Sequence, residues 1–274
     1  MVVSGRRDAV PSDGELAVVW HDLECGGYRA DLPLWRELAA SAGDGVAKAE
    51  ILEVGSGSGR VALDLASVGH HVTALDLDSR LLDALRARSA GLQVQVIAGD
   101  ARTFELGRRD FALCLAPMQT VQLLGGEAGR VAFLRRARAH LRPGGLLACA
   151  IVTEFEFFDA TAGADGPTAE TVRLAGTDYV SRAIRICALG DSVLIERARR
   201  ILPGGREAPA DGPSRLRGES TPTSAGERDV VRLDLVNVEQ LEREGVAAGL
   251  HRCAARRVEA TDEYLASDVV VLRA

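Results

Sequence analysis

One ten-residue stretch limits what this chain can fold into: Ile51-Leu52-Glu53-Val54-Gly55-Ser56-Gly57-Ser58-Gly59-Arg60. An apolar run closes on an acidic residue and then on alternating glycines. Val61, Leu65 and Val68 follow at helical spacing, so the stretch reads as strand, tight loop, helix. Gly55, Gly57 and Gly59 carry no Cβ, so the loop can adopt φ > 0 and lie close against a bound molecule. The start of the next helix adds free N–H groups, which select a ligand with acceptor atoms or negative charge.

The spacing separates two ligand classes. A dinucleotide fingerprint G-x-G-x-x-G would need glycine at positions 55, 57 and 60, but position 60 is Arg and the third glycine comes at Gly59. The string Glu53-Val54-Gly55-Ser56-Gly57-Ser58-Gly59 instead resembles motif I of the class I S-adenosylmethionine (SAM) dependent methyltransferases, and later stretches resemble that family's other motifs in order. The resemblance implies that Glu53, Gly55, Ser56, Gly57 and Gly59 hold SAM. His71–Asp76 reads as a second strand. A carboxylate at its end, 21 residues beyond Gly55, is placed to accept from both ribose hydroxyls, and the resemblance gives Asp76, with Leu77 beside it, that role toward SAM. Asp78 fits a helix N-cap better. Gln93–Ala101 resembles motif III, which implies that Asp100 and Ala101 face the adenine. Phe111–Pro117 is apolar throughout, as a strand buried on both faces should be. By resemblance its end lies beside the reactive methyl, with Ala116 toward the cofactor and Met118 and Gln119 toward the acceptor. Family members commonly carry an aspartate where this chain has Ala112, so no role passes to Asp110.

With 274 residues there is room for one sizeable α/β domain and an inserted subdomain. A net charge of −6 argues against a nucleic-acid partner, and the end of the fourth strand lacks the Asn/Asp-Pro-Pro-Tyr string of base methyltransferases. No apolar run reaches the ~20 residues of a membrane span and no signal-peptide core is present, so the expectation is a cytoplasmic protein with no membrane partner. The five cysteines are scattered, with no C-x-x-C pair, and no histidine spacing suggests a metal. A homodimer is left open.

Residues 1–14 read as a disordered tail and 15–45 as an N-terminal helical lid broken at Gly26-Gly27, carrying Trp20, His21 and Tyr28. Its aromatics could face a sulfonium cation, and the resemblance implies a tyrosine, Tyr28, near the methyl donor. Residues 46–158 and 237–274 are expected to form a Rossmann-like, mostly parallel seven-stranded sheet. Its predicted order is 3-2-1-4-5, continued by an antiparallel strand seven. Between them, 159–236 reads as an antiparallel β-rich insertion with Gly190-Asp191 as a hairpin turn and 203–227 as a flexible loop. Such an insertion resembles that of small-molecule N-methyltransferases, where it walls the acceptor pocket, and Tyr179 is its candidate acceptor contact, with Trp20 of the N-terminal segment as another.

Methyl transfer from a sulfonium is an in-line displacement for which orientation and water exclusion supply most of the rate, about 7–11 kcal/mol, so a base is optional for a neutral amine. Glu154, Glu156 and His21 are the candidate bases or amine-holding groups. The primary reading is a SAM-dependent methyltransferase acting on a small molecule, amine preferred over hydroxyl. The alternatives are a dinucleotide-dependent oxidoreductase or epimerase, and a SAM-binding protein without transfer activity.

Overall fold

The computed structural model describes residues 11–43, 48–161, 166–203 and 226–274. The expected tail 1–14 and loop 203–227 lie for the most part outside the described residues. In chain order the elements are α1 (Asp13–Cys25), α2 (Leu32–Ala42), β1 (Glu50–Val54), α3 (Arg60–Ser67), β2 (His71–Asp76), α4 (Ser79–Arg88), β3 (Val94–Ala98), β4 (Phe111–Ala116), a 3-10 turn (Thr120–Leu123), α5 (Gly126–His140) and β5 (Leu141–Ile151). They continue as β6 (Phe158–Asp159), β7 (Glu170–Leu174), β8 (Thr177–Leu189), β9 (Ser192–Pro203), β10 (Glu227–Asp234), α6 (Val238–Ala247), β11 (His251–Arg252), β12 (Arg256–Val258) and β13 (Ser267–Arg273).

The chain divides into two compact units, one formed by Tyr28–Phe155 with Leu233–Ala274, the other by the residues before Tyr28 with Glu156–Arg232. The first unit holds the large sheet, in the order β11-β13-β5-β4-β1-β2-β3. Val54 lies opposite Leu75 on parallel strands, and β13 runs antiparallel to β5 from Asp268 opposite Ile151 to Arg273 opposite Leu146. Strand alternation builds two apolar layers. Ile51, Leu113, Ala148 and Val269 pack with residues of α2, α3 and α4 on one face. Leu52, Cys114, Leu147 and Val270 pack with Phe133, Leu134 and Leu241 of α5 and α6 on the other.

The parallel order and the antiparallel last strand are as the alternation of strand and helix predicts. The edge differs in one detail. The predicted strand His251–Val258 is two short pieces, each paired with β13, and the register shifts by one residue between Arg252 opposite Leu272 and Arg256 opposite Val269. One extra residue in the outer strand is a β-bulge, which bends the sheet's edge and blunts its pairing with other chains.

In the second unit β8 pairs antiparallel with β6, β7 and β9, and β10 completes the sheet beside β9. Leu189 faces Ser192 across the two-residue turn, where Gly190 takes the positive φ, 61°, that such hairpins require. Helix α1 opens with a capping box, Ser12 and Glu15 exchanging side-chain and backbone bonds. On this helix Glu24 accepts from Arg199 at 2.7 and 2.8 Å and from the Ser181 hydroxyl at 2.7 Å. Those bonds outweigh burial and hold the Glu24 carboxyl below its usual range. No helix among the described residues is long and apolar enough to cross a membrane.

Candidate cofactor site

The glycine loop lies where β1 hands over to α3, at the C-terminal edge of the parallel strands, the side on which such sheets bind ligands. Gly55, Gly57 and Gly59 all take positive φ, at 75°, 52° and 102°. The first two loop amides, Gly55 N and Ser56 N, donate to Leu75 O at 2.8 and 3.1 Å, which ties the loop to β2. A Cβ on Gly55 would lie 2.5 Å from the Thr120 side chain, and one on Gly59 would run into Leu85. Both glycines are therefore set by packing inside the protein as well as by backbone conformation.

Asp76 ends β2 and closes the loop: its Oδ2 accepts from Gly57 N at 2.7 Å and its Oδ1 from Asp78 N at 2.9 Å. Asp78 caps α4 by accepting from Arg80 N, the role its position suggested. Leu77, between them, is exposed. Asp100 and Ala101 follow β3 and are half-buried. The Asp100 carboxylate accepts from the backbone and guanidinium of Arg102, which holds it below the usual carboxylate range. Ala116 is fully buried at the end of β4, and half-buried Met118 and Gln119 follow it.

Two buried polar atoms, one on the residue before Val54 and one in the loop itself, lack a hydrogen-bonding partner: Glu53 Oε2 and Ser56 Oγ. Leaving such groups unmade costs about 1–3 kcal/mol each, so a pair of them at a glycine loop marks where a polar ligand completes the structure. Burial pushes the Glu53 carboxyl up to about 8, with Asp76 and Asp31 adding to the rise while Arg60 and the Ala62 amide oppose it. The group is thus largely protonated at neutral pH until a cation meets it. An unfolded Glu53 releases its proton near 4.5 and the folded one near 8, so the stability it contributes at low pH is lost as pH rises through that window. Glu53→Gln is therefore expected to flatten the fall in melting temperature between about pH 5 and 8, and identical pH profiles for the two proteins would contradict this.

A network absent from the sequence reading braces Tyr28. Arg60, the residue that breaks the dinucleotide pattern, pairs with Asp31 at 2.5 and 2.8 Å, donates to Tyr28 O at 2.8 Å and lies 5.1 Å from the Tyr28 ring centre. Asp31 also accepts from Trp35 Nε1 at 2.7 Å. Both members of the ion pair are buried, so the bonds on Asp31 replace the water it has lost. The only local signal was Asp31 four residues before Trp35; nothing in the spacing joined either to Arg60.

The remaining candidates divide between the units. In the first, the Glu154 side chain is 77% exposed, 3.6 Å from Arg257. In the second, Glu156 is exposed, Trp20 and Tyr179 are buried edge to face with ring centres 5.6 Å apart, and His21 stands 3.8 Å from Asp22. Arg199 lies 5.6 Å from the Trp20 ring centre, so this aromatic pair belongs to the core joining α1 to β8 and β9.

Residues 51–145 match a family model described as a methyltransferase domain. Among curated proteins, the cypemycin N-terminal methyltransferase of a Streptomyces species is 31% identical over 110 residues, 39% of this chain and 44% of that protein. The ribosomal RNA small subunit methyltransferase A of Deinococcus radiodurans is 44% identical over 66 residues, 24% of this chain and 23% of that one. The chain thus spans less than half the length of either relative. Among solved structures, the SAM-bound amino pentose methyltransferase of Micromonospora echinaspora, involved in calicheamicin biosynthesis, superposes with a TM-score of 0.63 at 22% identity over 98% of this chain and 100% of that one. With residues 51–145 matching a methyltransferase domain and the whole chain superposing on a methyltransferase, the chain has the fold of the class I SAM-dependent methyltransferases.

Proposed function

We propose that this protein binds SAM and transfers its methyl group to a small-molecule acceptor, an amine in preference to a hydroxyl. The observation that carries the reading is the pair of unpartnered buried atoms, Glu53 Oε2 and Ser56 Oγ, at a left-handed glycine loop closed by Asp76. A ligand with an ammonium and a carboxylate at one end and a ribose in its middle supplies what these groups lack. Glu53, Gly55, Ser56, Gly57, Gly59 and Tyr28 would hold the amino-acid end, Asp76 the ribose, Leu77, Asp100 and Ala101 the adenine, and Ala116 the region of the sulfur. When bound, SAM supplies a methyl group on a positively charged sulfur.

The chain's own contribution is orientation and the exclusion of water, with Met118 and Gln119 at the end of β4 facing the acceptor. The amine preference draws on the amino pentose and N-terminal methyltransferases among the similar proteins. The similarity to the ribosomal RNA enzyme spans only a quarter of this chain, and the net charge of −6 does not favour an RNA acceptor. Glu154 and Glu156 would hold a cationic amine or take its proton.

Incubation with SAM and a panel of small amines and matched alcohols, read by mass spectrometry, is expected to add one methyl group to an amine. Tight SAM binding with no product from any compound would leave a cofactor-binding protein without transfer activity. Once a substrate is found, Glu154→Gln and Glu156→Gln are expected to raise KM while sparing kcat. A fall in kcat with a flattened pH dependence would instead identify a base.

A further inference from the structure

The short segment after β4 touches two places that the cofactor reading does not connect. At its start, Met118 takes a left-handed φ of 52°, a strained conformation for a residue with a side chain. That bend brings the chain round so that Pro117 O accepts from Thr120 Oγ1 at 2.8 Å. The Thr120 side chain then fills the space over the Gly55 Cα, where a Cβ would meet it at 2.5 Å. One half-turn further, Gln122 is fully buried and uses both ends of its amide. Its Oε1 accepts from Val152 N at 2.8 Å, while its Nε2 donates to Val152 O at 3.1 Å and to Asp234 O at 3.0 Å.

Val152 and Asp234 flank the excursion Glu156–Arg232, through which the chain leaves the large sheet and returns to it. One side-chain amide therefore joins the exit to the re-entry. Asp234 is held a second time, by Gly126 N at 2.6 Å and Arg130 Nη1 at 3.0 Å on its carboxylate. The path from glycine loop to excursion consists of Thr120 and Gln122 within a single 3-10 turn, with no intervening flexible link.

We propose that Thr120–Leu123 transmits occupancy of the glycine loop to the two ends of the excursion, with Gln122 as the positioning residue. A ligand that stiffens Gly55 restrains Thr120, and through the same turn it restrains Gln122 and the backbone at Val152 and Asp234. The inference rests on SAM or its product being the ligand of the loop.

Amide exchange on the full chain tests it, with S-adenosylhomocysteine as the probe and calorimetry reporting its affinity. In the wild-type protein the probe is expected to slow exchange at residues 152–156 and 232–236 by roughly fivefold or more, the lower end of coupling between linked sites. In Gln122→Met the probe should bind within about twofold of wild type while that protection disappears, since truncation of the link spares the loop itself. Absence of ligand-dependent protection in the wild type, or its survival in Gln122→Met, overturns the proposal. If Gln122→Met does not fold, Gln122→Glu, which keeps an acceptor for Val152 N, is read the same way. A wild-type protein that binds neither SAM nor S-adenosylhomocysteine would instead refute the cofactor assignment.

Discussion

Asp76→Ala is expected to weaken SAM binding by about 1–3 kcal/mol, roughly 5- to 150-fold. The substitution does more than remove an acceptor for ribose hydroxyls. It also strips the partner from Gly57 N, held at 2.7 Å, and from Asp78 N at 2.9 Å, so the loop loses the bond that shapes it. Gly57→Val should be worse. At φ 52° a β-branched side chain adds a left-handed strain of about 1–2 kcal/mol and places bulk where the backbone must approach the ligand. Calorimetry returning wild-type affinity for both variants would remove this loop as the cofactor site.

The largest effect on stability is expected at Arg130. Its guanidinium donates to Glu244 at 2.7 and 2.8 Å and to Asp234 at 3.0 Å, with the Arg130 and Glu244 side chains only 3% and 4% exposed. Arg130→Ala leaves two carboxylates without their cation, one of them deeply buried, and should cost about 3–5 kcal/mol in urea unfolding. The double variant Arg130→Met with Glu244→Leu removes the buried pair altogether and should recover much of that loss, because the charges no longer require solvation. A single variant that unfolds at the wild-type urea concentration would show that water already reaches the pair.

Those two sites differ in how much of them the sequence reveals. The Asp76 position follows from local rules, since the glycine loop, the strand and the carboxylate at its end lie within some twenty residues and each has a spacing. The order of the parallel strands is legible for the same reason: strands and helices alternate, and the right-handed crossover leaves few arrangements. Arg130 with Glu244 had no such signal, because 114 residues separate the partners. Asp31 with Arg60, and Gln122 with Asp234, were hidden in the same way. Glu154 and Glu156 were nominated from their place just after the fifth strand, and that place does not reveal that both side chains are exposed. Trp20 and Tyr179 were singled out as large aromatics, but composition does not show that they pack on each other.

The place of β13 has a consequence for how the polypeptide is made. Between Ile151 at the end of β5 and Ser267 at the start of β13 the ribosome must add more than a hundred residues, yet β13 is the strand that covers the β5 edge. At about 5–20 residues per second that interval is on the order of ten seconds. Throughout it Leu147, Ala148, Cys149 and Ala150 present open backbone groups on an apolar ribbon, the kind of template that recruits strands from other nascent chains. The antiparallel sheet emerging in the meantime can close on its own hairpin, so the hazard in biosynthesis falls on the older half of the molecule.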